Sequence, residues 1–167
     1  MNRHSIFILF VIFTSTQTSF SQGNKDTTQI KRNSLYIEIG GNTGSYSINY
    51  DLIICHKNNF KLTGRVGFSI LPTNTCPTVF PIELNGLYGK TKQYFEYGIG
   101  YSPIIYLGKN KEKSSDLILA RLGYRYQKTD GGLFFRIGFT PIIKNADDEF
   151  GQFRFTPWFG VSIGKTF

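Results

Sequence analysis

Little in this sequence points to an enzyme. No zinc-ligand spacing, phosphate-binding glycine loop or nucleophile elbow occurs, and the 167 residues hold only two cysteines, two histidines and one tryptophan. Long apolar runs are equally scarce. After Ile6–Phe13 no stretch approaches the roughly 20 residues of a membrane-spanning helix, and apolar residues nowhere recur at helical spacing. Acidic residues are the sparser charge, 11 against 19 Lys and Arg, for a formal net charge of +8. A basic balance raises the question of nucleic acid. The charges are spread along the chain, however, and no recognition motif accompanies them, so no nucleic-acid partner is expected.

What the chain does have begins at its N-terminus. A basic start (Arg3, His4) leads into the apolar run IFILFVIF, and Ser19 and Ser21 stand at the −3 and −1 positions of a cleavage site before Gln22. This is the three-part build of a secretory signal peptide over residues 1–21, its core too short to cross a bilayer. No cysteine follows it, so lipidation of a new N-terminal Cys is not expected. Residues 22–33 read as a polar, flexible lead-in. Removing the signal takes Arg3 away and leaves a mature chain with a net charge of about +7, which holds one domain, residues 34–167.

The chain is rich in aromatics (16%) and glycine (18 residues), and eight segments of the domain alternate with period two: 34–42, 44–55, 59–71, 78–89, 92–107, 115–127, 132–143 and 152–167. If the first strand starts on the periplasmic side, the turns on that side fall at 57–59, 89–91 and 129–132. The last of these reads Thr-Asp-Gly-Gly, a hairpin signal. The opposite loops fall at 42–44, 72–77, 108–115 and 145–151. All six prolines (72, 77, 81, 103, 141 and 157) lie in that outer half, where a residue without an N–H is tolerated at rims and bulges. A faint internal echo, GIGYSPII at 98–105 against IGFTPII at 137–143, suggests repeated hairpins.

The alternation sorts side chains sharply. One face collects Leu35, Ile37, Ile39, Tyr46, Ile48, Tyr50, Leu52, Leu62, Val66, Phe68, Ile70 and their counterparts on later strands. The other collects Glu38, Asn49, Asp51, Thr63, Arg65, Glu83, Asn85, Glu96, Arg121, Arg125, Arg136 and Arg154. Unpaired charge inside a soluble core costs several kcal/mol, and an Arg facing lipid at mid-membrane costs about 2–4 kcal/mol. The arrangement that avoids both is an all-β, eight-stranded, antiparallel up-and-down transmembrane barrel. Its apolar face is turned to lipid, and Glu38, Asp51, Glu83 and Glu96 pair with the arginines inside. An eight-stranded interior is just wide enough for side chains to fill, so the expected lumen is a salt-bridged plug and not a pore.

The final strand carries Phe159, Val161, Ile163 and Phe167 outward and Gly160, Ser162, Gly164 and Thr166 inward, ending on an aromatic. With the signal at 1–21, the eight alternating strands and the ending VSIGKTF, the domain resembles the small outer-membrane β-barrels of the OmpA/OmpX type, the outer membrane protein beta-barrel domain family. The resemblance implies export through the Sec pathway and integral insertion in the outer membrane of a Gram-negative cell. It also implies recognition of Phe159, Val161, Ile163 and Phe167 by the barrel-assembly machinery. It does not imply one activity, because such barrels serve as anchors, adhesins and lipid-modifying enzymes.

Candidate chemistry is thin. His56 falls at the first periplasmic turn, away from the outer leaflet where lipid-modifying barrels act. Asp147, Asp148 and Glu149 form an acidic loop run that could meet a divalent cation, and Lys109, Lys111 and Lys113 could meet lipopolysaccharide phosphates as point charges. Solvated loop charge is the plainer account of both. Cys55 and Cys76 are separated by the third strand, roughly 30 Å of extended chain, so a bridge between them would contradict this topology. No cofactor is expected. The leading expectation is a non-enzymatic membrane scaffold that contacts outer-membrane lipids and presents surface loops. A lipid-modifying enzyme and a soluble periplasmic lipocalin-like barrel are the alternatives.

Overall fold

The structure, a computed structural model, describes residues 30–73, 76–106, 115–145 and 153–167. The expected signal peptide, Lys109–Lys113 and Asp147–Glu149 lie outside the described residues.

Eight strands close into one antiparallel barrel. They are β1 (Asn33–Gly40), β2 (Ser45–Lys57), β3 (Phe60–Ile70), β4 in two pieces (Thr78–Val79 and Ile82–Lys90), β5 (Gln93–Ile105), β6 (Ser115–Gln127), β7 in two pieces (Gly132–Phe139 and Ile142–Asn145) and β8 in two pieces (Phe153–Thr156 and Phe159–Thr166). Each strand pairs with its neighbours in the chain, and β8 closes on β1 from Ser34↔Thr166 to Gly40↔Gly160. Closure leaves no long free edge to template aggregation. Paired residues can be followed once round the wall: Ser34, Asp51, Arg65, Glu83, Gly100, Leu119, Ile142, Thr156. Extending the β8–β1 register returns to β1 about ten residues further on, and such a stagger goes with strands tilted about 35–45° from the axis.

Proline explains where the structure departs from the strand boundaries expected above. Segments 78–89, 132–143 and 152–167 are each interrupted, at Pro81, Pro141 and Pro157, because proline has no N–H to give to the ladder. The carbonyls stay in use: Pro81 accepts from Gly67 N–H at 2.8 Å and Pro141 from Ala120 N–H at 3.2 Å. Between β7 and β8 the register resumes unchanged, Phe139↔Phe159 before the break and Thr156↔Ile142 after it, so both faces keep their identity.

The first strand also stops sooner than expected, at Gly40. Gly40, Gly41 and Gly44 all have positive φ (75°, 62° and 71°), which lets the chain reverse through a single 3-10 turn at Gly41–Thr43. The turn folds inward, burying Asn42 and Thr43. Glycine matters equally where the wall is tightest. Gly40, Gly160, Gly138 and Gly123 are paired in a row across β1, β8, β7 and β6, and a Cβ on Gly123 would lie 2.7 Å from Gly138 Cα.

The interior is polar and the exterior apolar. Leu35, Ile37, Ile48, Val66, Ile82, Ile99, Ile118, Leu122 and Ile163 all lie exposed on the outer wall, while Glu38, Asp51, Arg65, Glu83, Glu96, Arg121, Arg125 and Arg136 are buried.

Candidate functional site

The buried charges are held by alternation: each stands on an inward position between outward apolar neighbours. Arg65 lies between Gly64 and Val66 on β3, Glu96 between Phe95 and Tyr97 on β5, and Arg136 between Phe135 and Ile137 on β7. Asp51, Arg65 and Glu83 occupy one rung of three adjacent strands, which brings acid, base and acid side by side.

Glu38 is the hub. It pairs with Arg65, with Arg121 Nη2 at 3.0 Å and with Arg136 Nη2 at 2.9 Å, and it accepts from Ser162 Oγ at 3.3 Å. Glu83 takes Arg65 Nη1 at 2.8 Å and Arg121 Nη2 at 2.9 Å. Arg65 is steadied further by donating to Asn49 Oδ1 at 2.7 Å. Nearer the chain termini, Arg125 grips Asp51 through two parallel bonds of 3.0 Å each, the two-pronged geometry that makes arginine a strong carboxylate partner. Glu96 joins the two halves by accepting from both Arg125 (2.5 Å) and Arg136 (3.2 Å). The interior thus links four carboxylates to four guanidiniums, with no excess of either sign in the network itself. The side chain of Arg154, the remaining candidate for this face, lies outside the described residues.

Several contributors were not singled out from the sequence. Asn42, on the infolded turn, bonds Glu83 through its amide nitrogen and accepts from Arg121 at 2.9 Å through its oxygen. Tyr36 and Phe134 stack inside the barrel at 4.4 Å, with the Arg136 guanidinium 4.8 Å from the Tyr36 ring centre. Lys61 is buried at the terminal end, donating to Tyr94 Oη at 2.8 Å, and Tyr94 in turn donates to the Thr91 carbonyl at 3.0 Å. Strict alternation from Leu62 already places Lys61 inward, and alternation from Leu35 does the same for Tyr36. Asn42 carries no such signal, because it stands in a turn.

This arrangement binds itself. Arg121 Nη1, Arg125 Nε and Glu96 Oε2 are buried without a protein partner, as are Tyr36 Oη and Asn85 Oδ1 beside them, while each of the four carboxylates and four guanidiniums still has at least one partner inside the barrel. No group of three or more His, Cys, Asp or Glu that could hold a metal ion occurs among the described residues. His56 is exposed at the β2–β3 turn, where its Nε2 lies 3.1 Å from the Asn58 carbonyl, remote from the interior carboxylates. Cys55 and Cys76 are free and exposed. Two shallow hollows lie on the outer wall around Gly64, Gly86 and Ala120, lined by apolar residues such as Leu84 and Ile99. Of the terminal residues singled out above, Phe159, Val161, Ile163 and Phe167 all face outward.

No family model matches the chain, and no curated protein sequence does. Among solved structures, it is similar to the N-terminal β-barrel domain of Pseudomonas aeruginosa OprF, with a TM-score of 0.52 and 11% identity over 81% of this chain and 98% of that one. At that identity the likeness concerns the fold alone: a closed, eight-stranded antiparallel β-barrel.

Proposed function

We propose that this chain is a non-enzymatic integral outer-membrane protein, a barrel that anchors its loops at the cell surface and whose lumen is filled rather than open. One observation carries the reading: the usual polarity of a folded domain is inverted. Ile99 is 68% exposed in the middle of β5, whereas Glu38, Asp51, Glu96, Arg125 and Arg136 are 0% exposed. Water gives no reason to present so many large apolar side chains on every strand, and burial of this area against lipid is favourable by about 25 cal/mol per Å². The dimensions agree. An 11-residue strand such as β3, tilted about 40° at 3.3 Å per residue, rises about 28 Å along the axis, close to the ~25 Å apolar band of a membrane barrel.

The absence of an open path rests on the same residues. Arg65, Arg121, Arg125 and Arg136 lie across the lumen and bind carboxylates from β1, β2, β4 and β5, so an ion crossing the barrel has to part several buried pairs. Phe159, Val161, Ile163 and Phe167 on the closing strand supply the signal read by the assembly machinery, and the lipids of the outer membrane are the principal partners of the outer wall. The test is fractionation followed by electrophoresis with and without boiling. An integral barrel is found in the outer-membrane fraction and changes apparent mass on heating in SDS. Release with the soluble periplasm, without a heat-dependent shift, refutes the proposal.

A further inference from the structure

Eight up-and-down strands bring both chain ends and the β2–β3, β4–β5 and β6–β7 turns to one rim. Residues far apart in sequence therefore become neighbours there. Lys31 and Arg32 lead into β1, Lys57 closes β2, Lys90 and Lys92 flank the β4–β5 turn, Lys128 stands in the β6–β7 turn, and Lys165 lies near the end of β8. Six of these are exposed and Lys128 is half-buried. Asp130 is the only acid in the same three turns and adjoining chain ends among the described residues. Seven cations against one acidic side chain give this rim a side-chain charge of +6, most of the formal +8 that the chain's side chains carry.

The cations are held in place by backbone. Lys31 N–H bonds the Thr129 carbonyl at 2.8 Å, tying the lead-in to the β6–β7 turn, and Asn33 and Phe167 exchange two bonds of 3.2 and 2.8 Å that fix the two chain ends together. No salt bridge joins any of the seven to an acid among the described residues. The rim is also continuous with the apolar wall. Lys165 points outward in the same file as Val161 and Ile163 and is paired with outward Leu35 and Leu133, while Tyr88 and Phe95 face each other on the outer wall beside Lys90 and Lys92. Apolar stems below and ammonium groups above are the arrangement by which lysine reaches from a hydrocarbon layer to its headgroups.

We propose that this basic rim binds the phosphate headgroups of anionic phospholipids in the leaflet around the short-turn end of the barrel. The inference rests on the membrane reading above and adds a lipid preference to it. Ammonium groups act here as point charges, so the recognition is of charge density and not of one headgroup's shape. Each cation near an anionic surface contributes about fivefold in affinity at low salt, and the effect decays over a Debye length of about 8 Å at physiological ionic strength.

The test uses the full chain folded into vesicles of phosphatidylcholine alone and of phosphatidylcholine with 30 mol% phosphatidylglycerol. The lipid retained after mild detergent extraction is counted by native mass spectrometry. Expected is a retained phosphatidylglycerol-to-phosphatidylcholine ratio at least fivefold above the bulk ratio, reduced by 0.5 M salt. It falls to within twofold of bulk when Lys57, Lys90, Lys92, Lys128 and Lys165 are all changed to Gln. Should that variant fail to fold, Lys90→Gln/Lys92→Gln, confined to one turn, is expected to lose part of the enrichment while keeping heat-modifiable migration. Retention of the two lipids at their bulk ratio by the wild type, or undiminished enrichment in a folded variant, overturns the inference while leaving the membrane reading standing. If the chain fails to insert even into phosphatidylcholine alone, the membrane reading falls and this inference falls with it.

Discussion

Glu38→Gln is the sharpest probe of the interior. The change keeps the size and shape of the side chain and removes one negative charge from among three guanidiniums. Glu38 is fully buried and pairs with Arg65, Arg121 and Arg136, so no water is at hand to compensate. The Gln amide nitrogen would also present hydrogens where Arg donors already point. Breaking a buried pair by removing one partner costs about 3–5 kcal/mol. Three such pairs do not triple the figure, because each arginine retains a second carboxylate: Arg65 and Arg121 keep Glu83 at 2.8 and 2.9 Å, and Arg136 keeps Glu96 at 3.2 Å. The expected loss is therefore about 3–5 kcal/mol in total, a large share of the 5–15 kcal/mol typical of a folded domain. The assay is urea unfolding of the barrel in phosphatidylcholine vesicles, followed by the heat-modifiable band. Glu38→Gln/Arg136→Gln restores the balance of charge and should be more stable than the sum of the two single losses by about 1–3 kcal/mol. A Glu38→Gln protein within about 0.5 kcal/mol of wild type, or strict additivity in the double variant, refutes the view that these pairs act as one cluster.

Four further outcomes follow from the outer wall, the backbone and the cysteines. Ile99→Arg places a charge in the middle of the exposed band and should cost about 2–4 kcal/mol in a bilayer, measured by the same unfolding assay; a soluble barrel would accept it with no measurable loss. Gly123→Ala drives a Cβ to within 2.5 Å of the Ile137 carbonyl oxygen and should destabilise by about 1–3 kcal/mol. Gly44→Ala meets nothing within 4 Å and is strained only by its φ of +71°, costing about 1–2 kcal/mol in unfolding, and Gly44→Asn should recover much of that loss because Asn tolerates this conformation. Cys55 and Cys76 lie at opposite ends of the barrel and should both be labelled by a maleimide in the folded protein, giving two adducts by mass; a single species resistant to labelling until reduced would contradict the topology.

What could be read from the sequence is what a period of two controls. Because a strand's side chains alternate strictly, Ile37 outward forces Tyr36 and Glu38 inward, and Val66 outward does the same for Arg65. The order of strands followed from short turns, since up-and-down neighbours need no crossover. Features that break the period were less legible. Pro81, Pro141 and Pro157 were visible as rim residues, but alternation alone does not say that they split a strand without shifting its register. The bulge between Ile53 and Cys55, which lets Ile54 lean toward Gly64, has no local signature either. Asn42 lay beyond reach because its role depends on a turn folding into the barrel, and that depends in turn on three glycines with positive φ. The cations of the short-turn rim looked scattered for a simpler reason. Lys57, Lys90 and Lys128 are separated by more than thirty residues each, and only the closed topology gathers them.

The same topology limits where charge can go at all. An outer wall in contact with lipid tolerates almost none. An interior of eight strands tolerates it only in pairs, since every guanidinium there needs a carboxylate within about 3 Å to offset its desolvation. The interior network links four arginines to four acids, with Lys61 the one further buried cation among the described residues, held by a phenol. Neither wall nor lumen can therefore absorb the mature chain's excess of about +7, and the surplus is displaced to the ends of the strands. For a barrel of this width, net charge is a property of its rims. A substitution that alters net charge without destabilising the fold should map to a turn, a loop or a chain end, whereas the same change at Glu38, Glu83 or Arg125 is paid in stability. Saturation mutagenesis scored for folded protein by heat-modifiable migration separates the two. Charge-changing variants that fold well but cluster at inward strand positions would contradict the argument.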